Sequence, residues 1–164
     1  MNPSSPTTAL QLRSLVQANG TLQISLELSP VPTPGPDEVL IQVQATPINP
    51  SDIGLLLGPA DLSTVQVTGT AERPVATASI PERAMPGMAA RLGQSMPVGN
   101  EGAGLVVAAG ASPAAQALLG RTVAVIGGAM YSQYRSMPAA QCLPLPPGTT
   151  AAEGASCFVN PLTA

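Results

Sequence analysis

Sixteen glycines and nineteen prolines punctuate a chain of 164 residues. Spacing that dense leaves little room for long helices, because proline removes a backbone donor and glycine adds backbone entropy that folding must overcome. It favours many short strands joined by tight turns. Hydrophobic residues make up 45% of the chain and charged residues only 9%. A disordered polyelectrolyte is thereby excluded, and one domain with a sizeable core is within reach. Tyr131, Tyr134 and Phe158 are the only aromatic residues, so Val, Leu, Ile, Ala and Met are expected to fill that core.

The polar inventory excludes several chemistries. The chain has no histidine, and Cys142 and Cys157 are its only cysteines. Without histidine, the Ser–His and Cys–His nucleophile systems cannot be assembled. A structural zinc site built from this chain alone lacks the roughly four Cys or His ligands it needs. Two free, partly buried thiols are expected in place of a disulfide. The six basic residues are all arginines and the net charge is −3, which offers no footprint for nucleic acid or an anionic membrane. No apolar run approaches bilayer length, and the N-terminus MNPSSPTTALQLR has neither the basic start nor the long apolar middle of a leader. A soluble cytoplasmic protein is the expectation.

Read along its length, the chain is mainly β. LQLRSLVQANGTLQISLEL predicts two alternating strands around Asn19-Gly20, a strong hairpin signal. SPVPTPGPDE follows as an extended connector, and EVLIQVQATPI predicts a strand that buries Val39, Ile41, Val43 and Ala45 on one face. SDIGLLLG predicts one or two helical turns capped by Ser51 or Asp52. Residues 61–96 read as a peripheral hairpin (STVQVTG and RPVATASIP), followed by a short helix interrupted at Pro86-Gly87. Short strands resume at Leu105-Val106-Val107, RTVAVIGG, YSQYRSM and QCLPLPPG. Thr150, with Glu153 three residues on, forms a capping box that starts a helix near residue 151.

One polar knot stands out, Asn49-Pro50-Ser51-Asp52, where the strand after residue 38 ends. Taken alone it is a turn with an Asx cap. Gly99, Gly102 and Gly104 have the wrong spacing for a phosphate loop and read as strand-packing glycines. Tyr131 and Tyr134 flank a buried strand, and packing is the reading they favour.

In their order and spacing, PTPGPDEVLIQVQATPINPSD, VGNEGAGLVVAAG, GRTVAVIGGAMYSQY and LPLPPGTTAAEGASCFVNPLTA resemble the N-terminal catalytic domain of the medium-chain dehydrogenase/reductase superfamily. They are most similar to its zinc-free quinone oxidoreductase and 2-enoyl thioester reductase members. The resemblance implies a GroES-like, partly open β-barrel over 1–150, with 61–96 as an insertion or lid. Residues 151–164 would begin a crossover helix toward a dinucleotide-binding domain whose glycine fingerprint these residues do not contain. The chain is thus expected to be part of a longer enzyme and inactive by itself.

The implied reaction is hydride transfer from NADPH to a quinone, enone or enoyl-type carbonyl compound. The positions that hold zinc ligands in metal-dependent relatives correspond to Asn49, Asn100 and Val159 or Asn160, all poor zinc ligands, so no metal is expected. Asn49, Ser51 and Asn100 are the implied catalytic residues, and Asn49, Asn160 and Thr163 the implied cofactor contacts. Asp52 and Glu101 are expected to fix backbone. The family's enoyl reductases carry a tyrosine proton donor shortly after the knot, where this chain reads LLLGPADLSTVQ. The resemblance is compatible with a homodimer. A free-standing GroES-like barrel that binds or assembles without catalysis is the alternative.

Overall fold

The computed structural model describes residues 6–163; the outermost ends of the expected 1–150 and 151–164 regions therefore lie outside the described residues. Strands β1 (Thr8–Val16) and β2 (Thr21–Pro30) form the expected antiparallel hairpin, with Val16 opposite Leu22. Asn19 Oδ1 accepts from Thr21 N at 3.1 Å, and Gly20 takes the positive φ of +79° that closes the turn. Strand β3 (Glu38–Ala45) is followed by helix α1 (Pro50–Leu57), then by β4 (Asp61–Gly69) and β5 (Pro74–Ser79). A 3-10 segment covers Glu82–Arg91, and β6 (Ser95–Pro97) closes the stretch. All of these strands except β3 order as β4-β5-β2-β1-β6 in a first sheet. The 61–79 hairpin is peripheral, as expected: β4 is exposed along its whole length.

The second sheet is built from β3, β7 (Glu101–Ala109), β8 (Thr122–Ile126), β9 (Tyr134–Pro138) and β10 (Cys142–Pro144), in the order β10-β8-β7-β3-β9. Helix α2 (Pro113–Gln116) bridges β7 and β8, capped by Ser112 Oγ, which accepts from Ala115 N at 3.3 Å. Residues 131–133 join the two sheets. Leu12 N donates to Tyr131 O at 2.8 Å, Gln133 N to Leu10 O at 3.0 Å, and Val43 N to Gln133 O at 2.9 Å. One short segment thus bonds β1 on one side and β3 on the other, which curls the sheets into a mainly β, partly open barrel.

The core is aliphatic. Val39, Ile41, Val106, Val123, Val125, Met130 and Met137 form its largest cluster, with Ala115 and Leu118 of the α2 region against it. The face expected to be buried on β3 needs correcting. Leu40 on the opposite side is only 4% exposed, while Val43 and Ala45 are only partly covered, because they border an open cleft. A second cluster sets Ala103 and Ala124 against Leu145, Ala151 and Ala155. Here helix α3 (Ala151–Gly154) opens with the expected capping box: Glu153 N donates to Thr150 Oγ1, and Thr150 N to Glu153 Oε2. Helix α4 (Val159–Thr163) ends the described chain. No described helix is long and apolar enough to cross a membrane.

Glycines 102 and 104 admit strand contact, as expected. A Cβ at Gly104 would collide with the Gln42 carbonyl, and one at Gly102 would stand 2.8 Å from Thr46 Cγ2.

Candidate functional site

Strand β3 ends at Ala45 and the chain leaves the sheet through Thr46, Pro47 and Ile48. Asn49 then takes the N-cap of α1 with extended dihedrals (φ −88°, ψ 156°), and Pro50 follows at the first helical position. This corrects the expected cap at Ser51 or Asp52. Proline at the first position needs no N–H partner, and the acid two residues later is placed to reach back. Asp52 Oδ2 accepts from Asn49 N at 2.9 Å, and Asp52 Oδ1 accepts from Asn100 N at 2.9 Å. One carboxylate therefore fastens the start of α1 to the residue before β7.

Glu101 makes the second fastening. It is the first residue of β7 and has no solvent exposure. Its Oε1 accepts from Asn49 Nδ2 at 3.1 Å, while Oε2 accepts from Phe158 N at 2.8 Å and Val159 N at 3.0 Å. Asp52 is equally buried. Neither carboxylate meets a cation; among the described residues the ion pair is Arg13–Glu27, at 3.7 Å. Backbone and amide donors offset their desolvation instead. Both acids thus fix backbone, as expected.

Asn49, Ser51 and Asn100 come together in this network, but they do not share an environment. Asn49 is 2% exposed, with its amide nitrogen committed to Glu101. Ser51 lies in the open on the first turn of α1, and its Oγ accepts from Asn100 Nδ2 at 2.9 Å. A hydroxyl that accepts in this way keeps its own proton to donate. Asn160 and Thr163 are exposed on α4 and meet the knot only through the Glu101 bonds to Phe158 and Val159. Thr163 Oγ1 donates back along its own helix, to Val159 O at 2.8 Å and Asn160 O at 3.1 Å.

Beside the knot opens a cleft of about 560 Å³, walled by Leu12 and Leu26 from the first sheet, Val43 from the second, and Ile48, Leu56 and Tyr131. Among the described residues no charged side chain lines it. Tyr131, expected with Tyr134 to favour packing, stands on the wall of this cleft. Its ring lies on Gly99, where an added Cβ would stand 2.7 Å from Tyr131 Cδ1 and where φ is +97°. Its hydroxyl donates to Pro47 O at 2.9 Å. Burial, then the neighbouring Asp52 charge, push the phenol up to about 12. No periodicity marks Tyr131 in the sequence, since the segment that carries it is an irregular link between sheets.

The metal question turns on the donor set. The positions expected to have lost zinc ligands hold carboxamides at 49 and 100, and among the described residues no three His, Cys, Asp or Glu side chains are grouped to hold an ion. Both cysteines are free thiols, as expected, and burial raises that of Cys142 to about 11.

No curated protein sequence matches the chain significantly. Among solved structures it is similar to one described as a candidate NADPH:quinone reductase from Mesorhizobium loti, with 27% identity and a TM-score of 0.61, covering 98% of this chain and 43% of that one. A second, described in the same way from Bacillus thuringiensis, has 22% identity and a TM-score of 0.62 over 96% of this chain and 39% of the other. The ER cyclopropanase CurF of the curacin A biosynthetic pathway shares the fold at 21% identity and a TM-score of 0.58, over 96% and 41%. The chain thus spans about two fifths of the length of the structures it matches. The profile of the alcohol dehydrogenase GroES-like domain matches residues 35–147, most of the curled barrel with Asn49, Asp52, Asn100 and Glu101, and the chain belongs to that family.

Proposed function

We propose that this chain forms the acceptor side of an NADPH-dependent oxidoreductase that reduces a quinone, enone or enoyl-type carbonyl compound without zinc. The observation that carries the reading is the Ser51–Asn100 pair, neutral and hydrogen-bonded at 2.9 Å, with Ser51 on the helix whose Leu56 borders an uncharged cleft. Names of the matched structures, two of them described as candidate NADPH:quinone reductases, support the same chemistry.

NADPH, when bound, would supply the hydride; this chain's residues would supply position and a polar edge. Ser51 has a proton to offer a carbonyl oxygen as negative charge develops on it, and Asn100 orients that hydroxyl. Asn49, held by Glu101 and Asp52, sets the start of the helix that carries Ser51, a positioning role better matched to its burial than direct contact. Asn160 and Thr163 present polar groups on an exposed helix and are proposed as cofactor contacts. The 61–96 stretch is proposed as the outer cover of the acceptor region, and the protein as cytoplasmic, acting on a small molecule, with a homodimer as its assembly.

The test is NADPH oxidation by the longer protein that contains this domain, with a naphthoquinone, an alkyl enone and an enoyl thioester as acceptors. Ser51→Ala is expected to lower turnover at least tenfold with one of them. No oxidation with any acceptor, or unchanged turnover in Ser51→Ala with all three, would overturn the reading and favour a binding module without catalysis.

A further inference from the structure

Helix α1 carries Ser51 and Asp52, yet it has only eight residues and no basic side chain in its last turn. A helix that short does not hold its shape in water unaided. Its N-terminus is fastened by Asp52; its C-terminus is fastened from outside. Leu56 O accepts from Ser14 Oγ at 3.0 Å, and Ser14 Oγ in turn accepts from Arg91 Nη2 at 2.9 Å. Ser14 sits fully buried on β1, so β1, α1 and the 82–91 segment converge on one hydroxyl. The packing follows the same line: Leu57 and Ala60 share a cluster with Ala84, Met85 and Met88. An added Cβ at Gly58, the C-cap, would lie 3.7 Å from Met88 Sδ and 3.9 Å from Arg91 Nη1. Arg91 has no carboxylate partner among the described residues, and its Nε is buried without an acceptor. Core stability alone gives no reason to place a guanidinium there; a cation near the C-terminal carbonyls of a helix does.

We propose that Arg91 is a positioning residue for the site: from the 82–91 segment it supplies the cationic C-terminal cap that α1 lacks, and thereby governs how Ser51 meets Asn100. The 61–96 stretch is then mechanically coupled to the polar knot, so that displacing the outer segment loosens the helix carrying Ser51. The consequence for turnover rests on the reductase reading; the coupling itself does not.

The test uses this chain, ¹⁵N-labelled, as Arg91→Met, Arg91→Lys and Ser14→Ala. Two changes are expected in Arg91→Met. Amides of α1, Gly58 N among them, exchange with solvent about tenfold faster, while those of Ile41 and Val106 keep their rates. The side-chain NH₂ signals of Asn100 shift, because their acceptor rides on α1. Arg91→Lys restores most of both effects, and Ser14→Ala reproduces them with Arg91 in place. Absence of either change, or exchange that accelerates equally in β3 and β7, overturns the proposal. Should Arg91→Met fail to fold, Arg91→Lys and Ser14→Ala decide it by the same two criteria. None of these readouts involves turnover, so the outcome is separate from the fate of the reductase reading.

Discussion

Glu101 Oε1 accepts a hydrogen bond from Asn49 Nδ2 at 3.1 Å across 52 residues of chain, with both groups removed from water. The other oxygen of the same carboxylate holds the backbone nitrogens of Phe158 and Val159. Glu101→Ala would leave three donors without their acceptor. It is expected to cost about 3 kcal/mol or more of stability, by urea unfolding. Glu101→Gln keeps the shape but exchanges one acceptor oxygen for a donor, and should cost less than Ala. Equal stability of wild type and Glu101→Ala would mean that water replaces the carboxylate freely, and that it holds neither Asn49 nor α4.

Tyr131 gives a pH signature. Its folded-state phenol is raised to about 12 from an ordinary 10, burial being the first cause and Asp52 the second. The folded state therefore keeps a proton that the unfolded chain releases, and stability falls as pH rises through the window from 10 to 12. The chain has no tryptophan, so phenolate absorbance can be followed cleanly. One tyrosine should titrate near pH 12 in the native protein, and Tyr131→Phe should remove that step and flatten the alkaline decline of the urea midpoint. A decline that persists unchanged in Tyr131→Phe would place its cause elsewhere.

Cys142 lies partly buried, its Sγ 3.5 Å from Pro138 O, and burial alone raises its thiol to about 11. The nucleophilic species is the thiolate. At pH 8 Cys142 should react with iodoacetamide about two orders of magnitude more slowly than free cysteine. Peptide mapping after timed labelling checks this, and labelling at the free-cysteine rate would contradict the burial seen here.

Elemental analysis provides the metal test. With carboxamides at 49 and 100, purified protein is expected to carry no stoichiometric zinc, and zinc in the growth medium should leave its melting temperature unchanged. One tightly held zinc per chain would overturn the zinc-free assignment.

Parts of the site could be read from residue order. Asn49-Pro50-Ser51-Asp52 combines an Asx cap, a proline suited to a first helical position and an acid suited to reach back, and all three are local rules. Which residue serves as the cap was misjudged by two or three positions, because Asn, Ser and Asp all qualify by type and only the path leaving β3 selects Asn49. That Asp52 would use its second oxygen on Asn100 N depends on a contact 48 residues away. Tyr131 is expected to pack because it flanks a buried strand; its place on the cleft wall follows from the bonds of residues 131–133 to β1 and β3.

The sequence by itself determined the class of the molecule. Dense glycine and proline, alternating aliphatic runs and an Asn-Gly turn impose short antiparallel strands, and the missing histidines rule out whole chemistries, since both are matters of residue type and near-neighbour spacing. Only the tertiary structure decided that Asn49 is buried while Ser51 is open, that two buried carboxylates without a cation are satisfied by amides, and that Arg91 reaches the far end of α1. Burial and long-range hydrogen bonds depend on which strands become neighbours, and that choice is made by the packing of the whole barrel.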